Sequence, residues 1–310
     1  MSQTVELSHG TLRYRDTGTG PVVVFVHGFL LNSNTWRDVI PTVAAAGYRC
    51  LAPDLPVGGH TLPMPEADLT VAGIASILGE FLERLDLREV TLVANDSGGA
   101  ITQVLLVRRP ERVARAVLAG VDCYEYFPPP ILRWATMFAA LPGSTRVLTE
   151  LMRVRALHRL PFTFGRITER PIPRDVMDGY LMPSRTSAAI RADARRFLRD
   201  ASPQRTLDAA RRLHTLTIPV LIVWGSRDRM IPVRFAQRLA TDIPHATLHL
   251  IDDAQMLIQE DQPHALAARI VEFLDDTATV VGPSVDAADR AASDRADAAP
   301  NRAGAVPNPR

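Results

Sequence analysis

The sequence predicts an α/β fold: a mainly parallel, doubly wound sheet with a helical cap inserted before the last two strands. Two observations carry this reading. Short apolar, β-branched runs alternate with helical stretches up to about residue 121 and again from 219. That alternation is the rhythm of a parallel sheet covered on both faces. Between them, residues 122–212 are helical and Pro-rich, with no clear strand. An insert at that point is expected to lie over the carboxyl edge of the sheet, where open α/β sheets bind ligands.

The elements follow in order. Residues 22–26 are Val-Val-Val-Phe-Val, a continuous run suited to a strand buried on both faces. Residues 35–46 read as a helix closed by Gly47, and 49–52 as a short strand. Within 69–85, Val71, Ile74, Leu78, Phe81 and Leu85 recur at helical spacing. A strand at 90–94 leads to a helix at 100–108 stopped by Pro110, then a strand at 113–120. After the insert come a strand (219–224), a helix (232–241), a strand (247–251) and a helix (263–274). The expected division is a core of 1–121 and 214–276, a cap of 122–213 and a tail of 277–310. The tail has almost no large apolar residue and cannot offset its ordering entropy, so it is expected to be disordered.

Composition excludes several functions. The chain has 310 residues, 46% hydrophobic and 22% charged, with net charge +1. No charge field points to nucleic acid or to an anionic membrane. All 35 basic residues are arginine. Without lysine there is no Schiff base, no pyridoxal phosphate attachment and no P-loop. Two cysteines, Cys50 and Cys123, build neither a disulfide framework nor a zinc site. No metal or cofactor is expected. The N-terminus lacks the apolar core of a signal peptide, and no apolar run reaches the ~20 residues that span a bilayer. The expectation is a cytoplasmic, bacterial protein, monomer or homodimer, acting on a small molecule.

Four short segments fall at strand ends: His27-Gly28-Phe29, Ala94-Asn95-Asp96-Ser97-Gly98-Gly99, Trp224-Gly225-Ser226-Arg227-Asp228 and Asp253-Ala254-Gln255-Met256-Leu257. A sharp strand-to-helix turn wants small residues two before, two after and three after its central residue. With Asp96 central these are Ala94, Gly98 and Gly99; with Ser97 central the strand is one residue too long. The alternative is that Asp96 only caps the next helix. Over about residues 5–275 the four segments together resemble the α/β-hydrolase fold superfamily with a cap domain, whose chain order is nucleophile, acid, base.

An Asp in the nucleophile position resembles the haloalkane dehalogenase and epoxide hydrolase branch. There a carboxylate attacks saturated carbon and forms an alkyl-enzyme ester. The resemblance implies the backbone N–H groups of Phe29 and Ser97 as oxyanion-hole donors and Asp228 as the acid. An ordinary loop Asp between Arg227 and Arg229 is the alternative for Asp228. His27 is expected to be structural. The chain departs from both relatives. Phe29 stands where dehalogenases usually carry Asn, Ser97 where both usually carry Trp, and Leu30 where epoxide hydrolases usually carry Pro.

The larger departure is the base. The family's His position is Met256, or Gln255 if the loop slips by one, and neither side chain shuttles a proton. An ester on Asp96 would then form and persist, unless another base exists, the chemistry avoids an ester, or the protein only binds. Of the eight histidines, His60 follows the loop after the second buried strand, which borders the pocket in this fold. It is the candidate substitute base; a structural turn role is the alternative. Without an imidazolium, Asp96 and Asp228 would face each other and raise one another's proton affinity.

The cap supplies candidate substrate contacts. Trp134, Met137, Phe138, Phe162, Phe164 and Met182 add apolar surface, and Met256 would face the pocket. By resemblance to epoxide hydrolase caps, Tyr124, Tyr126 and Tyr180 are candidate hydrogen-bond donors to a substrate oxygen, with ordinary packing as the alternative. Arg153, Arg155, Arg159 and Arg166 read as a solvated face. The combined expectation is a hydrolase, epoxide- or ester-like, using Asp96 on a small apolar substrate. The rival is a non-hydrolytic lyase, isomerase, cyclase or ligand binder of the same fold.

Overall fold

A computed structural model describes residues 2–278 apart from 140, 142, 152–153, 155, 158–159 and 161–163. The apolar runs become β3 (Val22–Val26), β4 (Arg49–Pro53), β5 (Val90–Asp96), β6 (Val113–Val121), β7 (Val220–Gly225) and β8 (Ala246–Ile251). Two N-terminal strands, β1 (Ser2–Leu7) and β2 (Gly10–Thr17), add an antiparallel edge, and the sheet runs β1-β2-β4-β3-β5-β6-β7-β8. From β4 to β8 every pairing is parallel. The central strands β3, β5 and β6 carry apolar side chains on both faces, and Val23, Val24, Leu92, Val93, Val117 and Leu118 are fully buried.

Helices cover both faces. They are α1 (Ile40–Ala45), α2 (Val71–Arg84), α3 (Ser97–Arg108), then α4 (Arg133–Ala139), α5 (Ser144–Leu151), α6 (Arg174–Thr186), α7 (Ala188–Asp200) and α8 (Pro203–Ala210) in the insert, then α9 (Arg234–Asp242), α10 (Ile258–Asp261) and α11 (Pro263–Ala278). The helix expected at 35–46 is shorter: Ser33–Trp36 forms a 3-10 turn capped by Asn32 before α1 begins. The insert between β6 and β7 contains no strand among its described residues, as expected. Residues Met1–Phe273 form one compact unit. The second, Leu274–Arg310, is described only to 278, where α11 ends. Helix thus continues past the expected start of the tail at 277, and 279–310 lie outside the described residues. No described helix is long and apolar enough to cross a membrane.

Two acid-centred latches join the insert to the sheet loops. Glu260, in α10 after β8, accepts both Arg37 guanidinium bonds (2.8 and 2.7 Å) and the hydroxyl of Tyr180 from α6 (2.6 Å). Asp193, from α7, accepts the ring Nε2 of His60 at 3.1 Å and the backbone N–H of Met64 at 2.8 Å. Both acids are almost wholly buried, so each depends on these partners. Asp193→Ala would leave the His60 ring and the Met64 amide without their acceptor. We expect it to lower stability in urea unfolding by about 3 kcal/mol. The exposed control Asp208→Ala should stay within about 0.5 kcal/mol of the parent.

Candidate active site

Asp96 ends β5 and opens α3 with φ +55° and ψ −138°, a conformation L-residues rarely adopt. This is the strained strand-to-helix turn expected from Ala94, Gly98 and Gly99. Its carboxylate accepts the Ser97 backbone N–H at 2.6 Å and also the Phe29 backbone N–H. A Cβ on Gly28 would overlap the Asp96 side chain, so only glycine fits beneath it. The Ser97 hydroxyl is buried without a hydrogen-bond partner.

The neighbouring strand brings a second carboxylate. β6 bulges at its end: Asn95 lies opposite Ala119, but Asp96 lies opposite Val121. Gly120 takes φ +56° there, and a Cβ on it would strike the carbonyl oxygen of Met256. The extra residue sets Asp122 beside the turn, its backbone N–H donating to the Asp96 carbonyl at 3.1 Å. Asp122 is buried, and its Oδ1 has no partner. Asp122 was not among the sequence candidates. A lone acid at the end of an apolar strand was its only signal.

Asp228 follows β7. Arg227 turns outward to Asp253 (2.7 Å), whereas Asp228 turns inward. Its Oδ1 accepts the backbone N–H groups of Met230 (2.8 Å) and Ile231 (2.9 Å), while its Oδ2 is buried without a partner. Burial pushes Asp96 up to about 7 against its two amide bonds, and pushes Asp228 up to about 7 likewise. Asp122 is held well above the usual carboxylate range by burial first and by the charges of Asp96 and Asp228 next. Among the described residues no group of His, Cys, Asp or Glu could hold a metal ion.

Asp96, Asp122, Ser97, Phe29 and Met256 share one cavity of about 140 Å³. That volume is near the benzene-sized cavities of engineered cores. Its walls are apolar: Phe127, Leu132 and Trp134 at the start of the insert, Phe197 and Leu198 from α7, and Leu148. Phe29 stacks on Phe197 at 5.8 Å between ring centroids. Met256 is 2% exposed, and its carbonyl is fixed by the Asn95 amide at 2.8 Å. Gln255 points away and donates to the Thr168 carbonyl at 3.0 Å, so Met256, not Gln255, holds the expected base position.

Other expectations are corrected. His60 is not on the cavity wall: its Nε2 is taken by Asp193 and its Nδ1 accepts the Gly58 N–H at 3.2 Å. It is a latch, not a substitute base. Tyr124 donates to Asp242 at 2.7 Å beneath the Arg238 guanidinium, Tyr126 packs on Phe235 with its hydroxyl facing Arg234, and Tyr180 donates to Glu260. None of the three lines the cavity, because each hydroxyl has a partner elsewhere. Trp134 does line it. Met137, Phe138 and Met182 are exposed instead. His27 bonds the Gly28 carbonyl and the Leu55 amide, a structural role as expected. Arg166 is exposed. Phe162, Arg153, Arg155, Arg159 and the side chain of Phe164 lie outside the described residues.

Comparison with known proteins places these features in a family. Residues 21–263 match the family model described as alpha/beta hydrolase fold. A haloalkane dehalogenase of Mesorhizobium japonicum is 29% identical over 287 residues, covering 87% of this chain and 90% of that protein. A 2-hydroxy-6-oxononadienedioate/2-hydroxy-6-oxononatrienedioate hydrolase of Cupriavidus pinatubonensis is 27% identical over 287 residues, covering 88% and 95%. Among solved structures, a haloalkane dehalogenase of Bradyrhizobium elkani superposes with TM-score 0.77 at 22% identity, over 90% of this chain and 99% of that one.

The raised proton affinity of Asp96 has a consequence for stability. The folded state binds this proton more tightly than the unfolded chain does. Its contribution is therefore fully present below about pH 4 and is lost as pH rises through about 7. Asp96→Asn should remove that loss. Thermal melts from pH 5 to 8 should show the variant gaining on the parent as pH rises, by on the order of 3 kcal/mol at pH 8.

Proposed function

Since this chain belongs to the α/β-hydrolase fold family, we propose that it is a hydrolase in which Asp96 attacks a saturated carbon of a small apolar substrate. The observation that carries this reading is the Asp96 carboxylate, gripped by the Phe29 and Ser97 amides at the wall of an apolar cavity. Those amides fix the carboxylate at the cavity wall, where one of its oxygens would act as the nucleophile. The same two donors would carry the oxyanion that forms when water attacks the resulting ester carbonyl.

The dehalogenase relatives suggest halide displacement. Phe29 and Ser97, however, stand where that branch usually carries Asn and Trp, so the two side-chain N–H groups that usually hold the halide are missing and only the Ser97 hydroxyl remains. An epoxide or an activated alkyl ester is therefore the preferred substrate class. Met256 supports a slow second step, because a thioether cannot activate water. It also supports the rival reading, a lyase, isomerase or cyclase that forms no ester.

Incubation with aromatic epoxides, followed by intact mass, should give an adduct at Asp96 that accumulates in a burst. Asp96→Asn should abolish it. The alkylation rate should climb through about pH 7 as Asp96 loses its proton. Conversion without adduct and without incorporation of labelled water oxygen would instead favour the rival. Met256→His should restore the family's base position and raise steady-state turnover by about 100-fold, measured as diol release.

A further inference from the structure

Ring opening of an epoxide needs a proton on the oxygen that leaves carbon. In this cavity few groups are able to supply one. The polar wall among the described residues is Asp96, Ser97, Asp122 and the Trp134 indole. Asp96 is the attacking group. A serine hydroxyl and an indole N–H do not exchange their proton reversibly near neutral pH. The tyrosines of the insert are bound elsewhere. That leaves Asp122, whose Oδ1 is buried and without a partner although its residue lines the cavity. Beyond the end of the next strand, Asp228 also has a buried oxygen without a hydrogen-bond partner, and its charge acts on Asp122. A buried carboxyl oxygen without a partner, beside other carboxylates, favours the protonated form.

We propose that Asp122 is the proton donor of this site: it protonates the oxygen that leaves the carbon attacked by Asp96, and it recovers that proton from water. This rests on the nucleophilic reading of Asp96 above. In the first step an Asp96 oxygen forms a bond to a ring carbon and the ring C–O bond breaks. The oxygen takes the Asp122 proton, giving a hydroxyalkyl ester and an ionised Asp122. In the second step Asp122 removes a proton from water, and the hydroxide adds to the ester carbonyl. The Phe29 and Ser97 amides hold the oxyanion. Collapse expels the alkoxide, which takes the carboxyl proton of Asp96. Asp96 is left ionised and Asp122 protonated, as they began. The sum is epoxide plus water to diol. Asp122 thus does the proton transfers that the missing imidazole would do, and its elevated proton affinity is consistent with that work.

A matched pair of probes tests it, because bromide leaves without a proton and an epoxide oxygen does not. Styrene oxide and 1-bromo-2-phenylethane each carry one aromatic ring. The full chain and its Asp122→Asn variant are incubated with each, and Asp96 alkylation is followed by time-resolved intact mass. Thermal melts confirm that the nearly isosteric variant folds. The expected result is a fall of about 100-fold or more for styrene oxide with the bromide rate unchanged. An equal fall for both probes, no fall for either, or alkylation of the parent by the bromide alone overturns the proposal. If neither probe alkylates the parent, the Asp96 reading fails instead. Carbon-13 NMR of aspartate-labelled protein then tests for the proton on Asp122. A carboxyl signal absent from Asp122→Asn, protonated above pH 7 and titrating lower in Asp228→Asn, supports it. Ordinary titration of that signal overturns it.

Discussion

Three carboxylates gather at the carboxyl ends of three neighbouring strands, β5, β6 and β7, and among the described residues none of them bonds a cation. Parallel strands stand about 4.8 Å apart, so charges at adjacent ends feel one another strongly where water is scarce. The surrounding structure divides that load unevenly. Asp96 receives two backbone amides and Asp228 receives two, whereas the Asp122 carboxyl receives no such bond. In the mechanism proposed above, a proton on Asp122 takes the place of the missing imidazolium. The glycines follow from the same crowding. Gly28 makes room for the Asp96 carboxylate, and Gly120 lets β6 bulge so that Asp122 arrives beside it.

The apolar insert makes this arrangement chemically useful. Phe127, Phe197 and Leu198 close the cavity around the acids and keep the local dielectric low. Low dielectric is what raises the proton affinity of a carboxyl group, and it also strengthens the grip of the Phe29 and Ser97 amides on developing charge. The insert's polar groups are spent on anchoring instead. Asp193 and the Tyr180 hydroxyl bind sheet loops, so the substrate meets little but carbon apart from the acids and their neighbours.

Legibility in the sequence followed the range of the determining contacts. The strands, the turn centred on Asp96 and the Met256 position rest on residues within a few places of one another, and each was readable. The roles of His60, Tyr124 and Tyr180 depend on Asp193, Asp242 and Glu260, which lie 133, 118 and 80 residues away. No local pattern announces such partners. The pocket reading of these residues erred for that reason, since a side chain goes where its hydrogen bond is satisfied. Asp122 escaped notice for a related reason. Its environment comes from a bulge and two neighbouring strands, none of which marks the residue itself.

Glu260 sits four residues beyond Met256 on one short segment, and it is the anchor that holds Tyr180 of the insert. The same segment carries Met256 on the cavity wall, tied by its carbonyl to Asn95, next to Asp96. The insert's anchor and one wall of the cavity thus belong to the same five residues of backbone, 256–260.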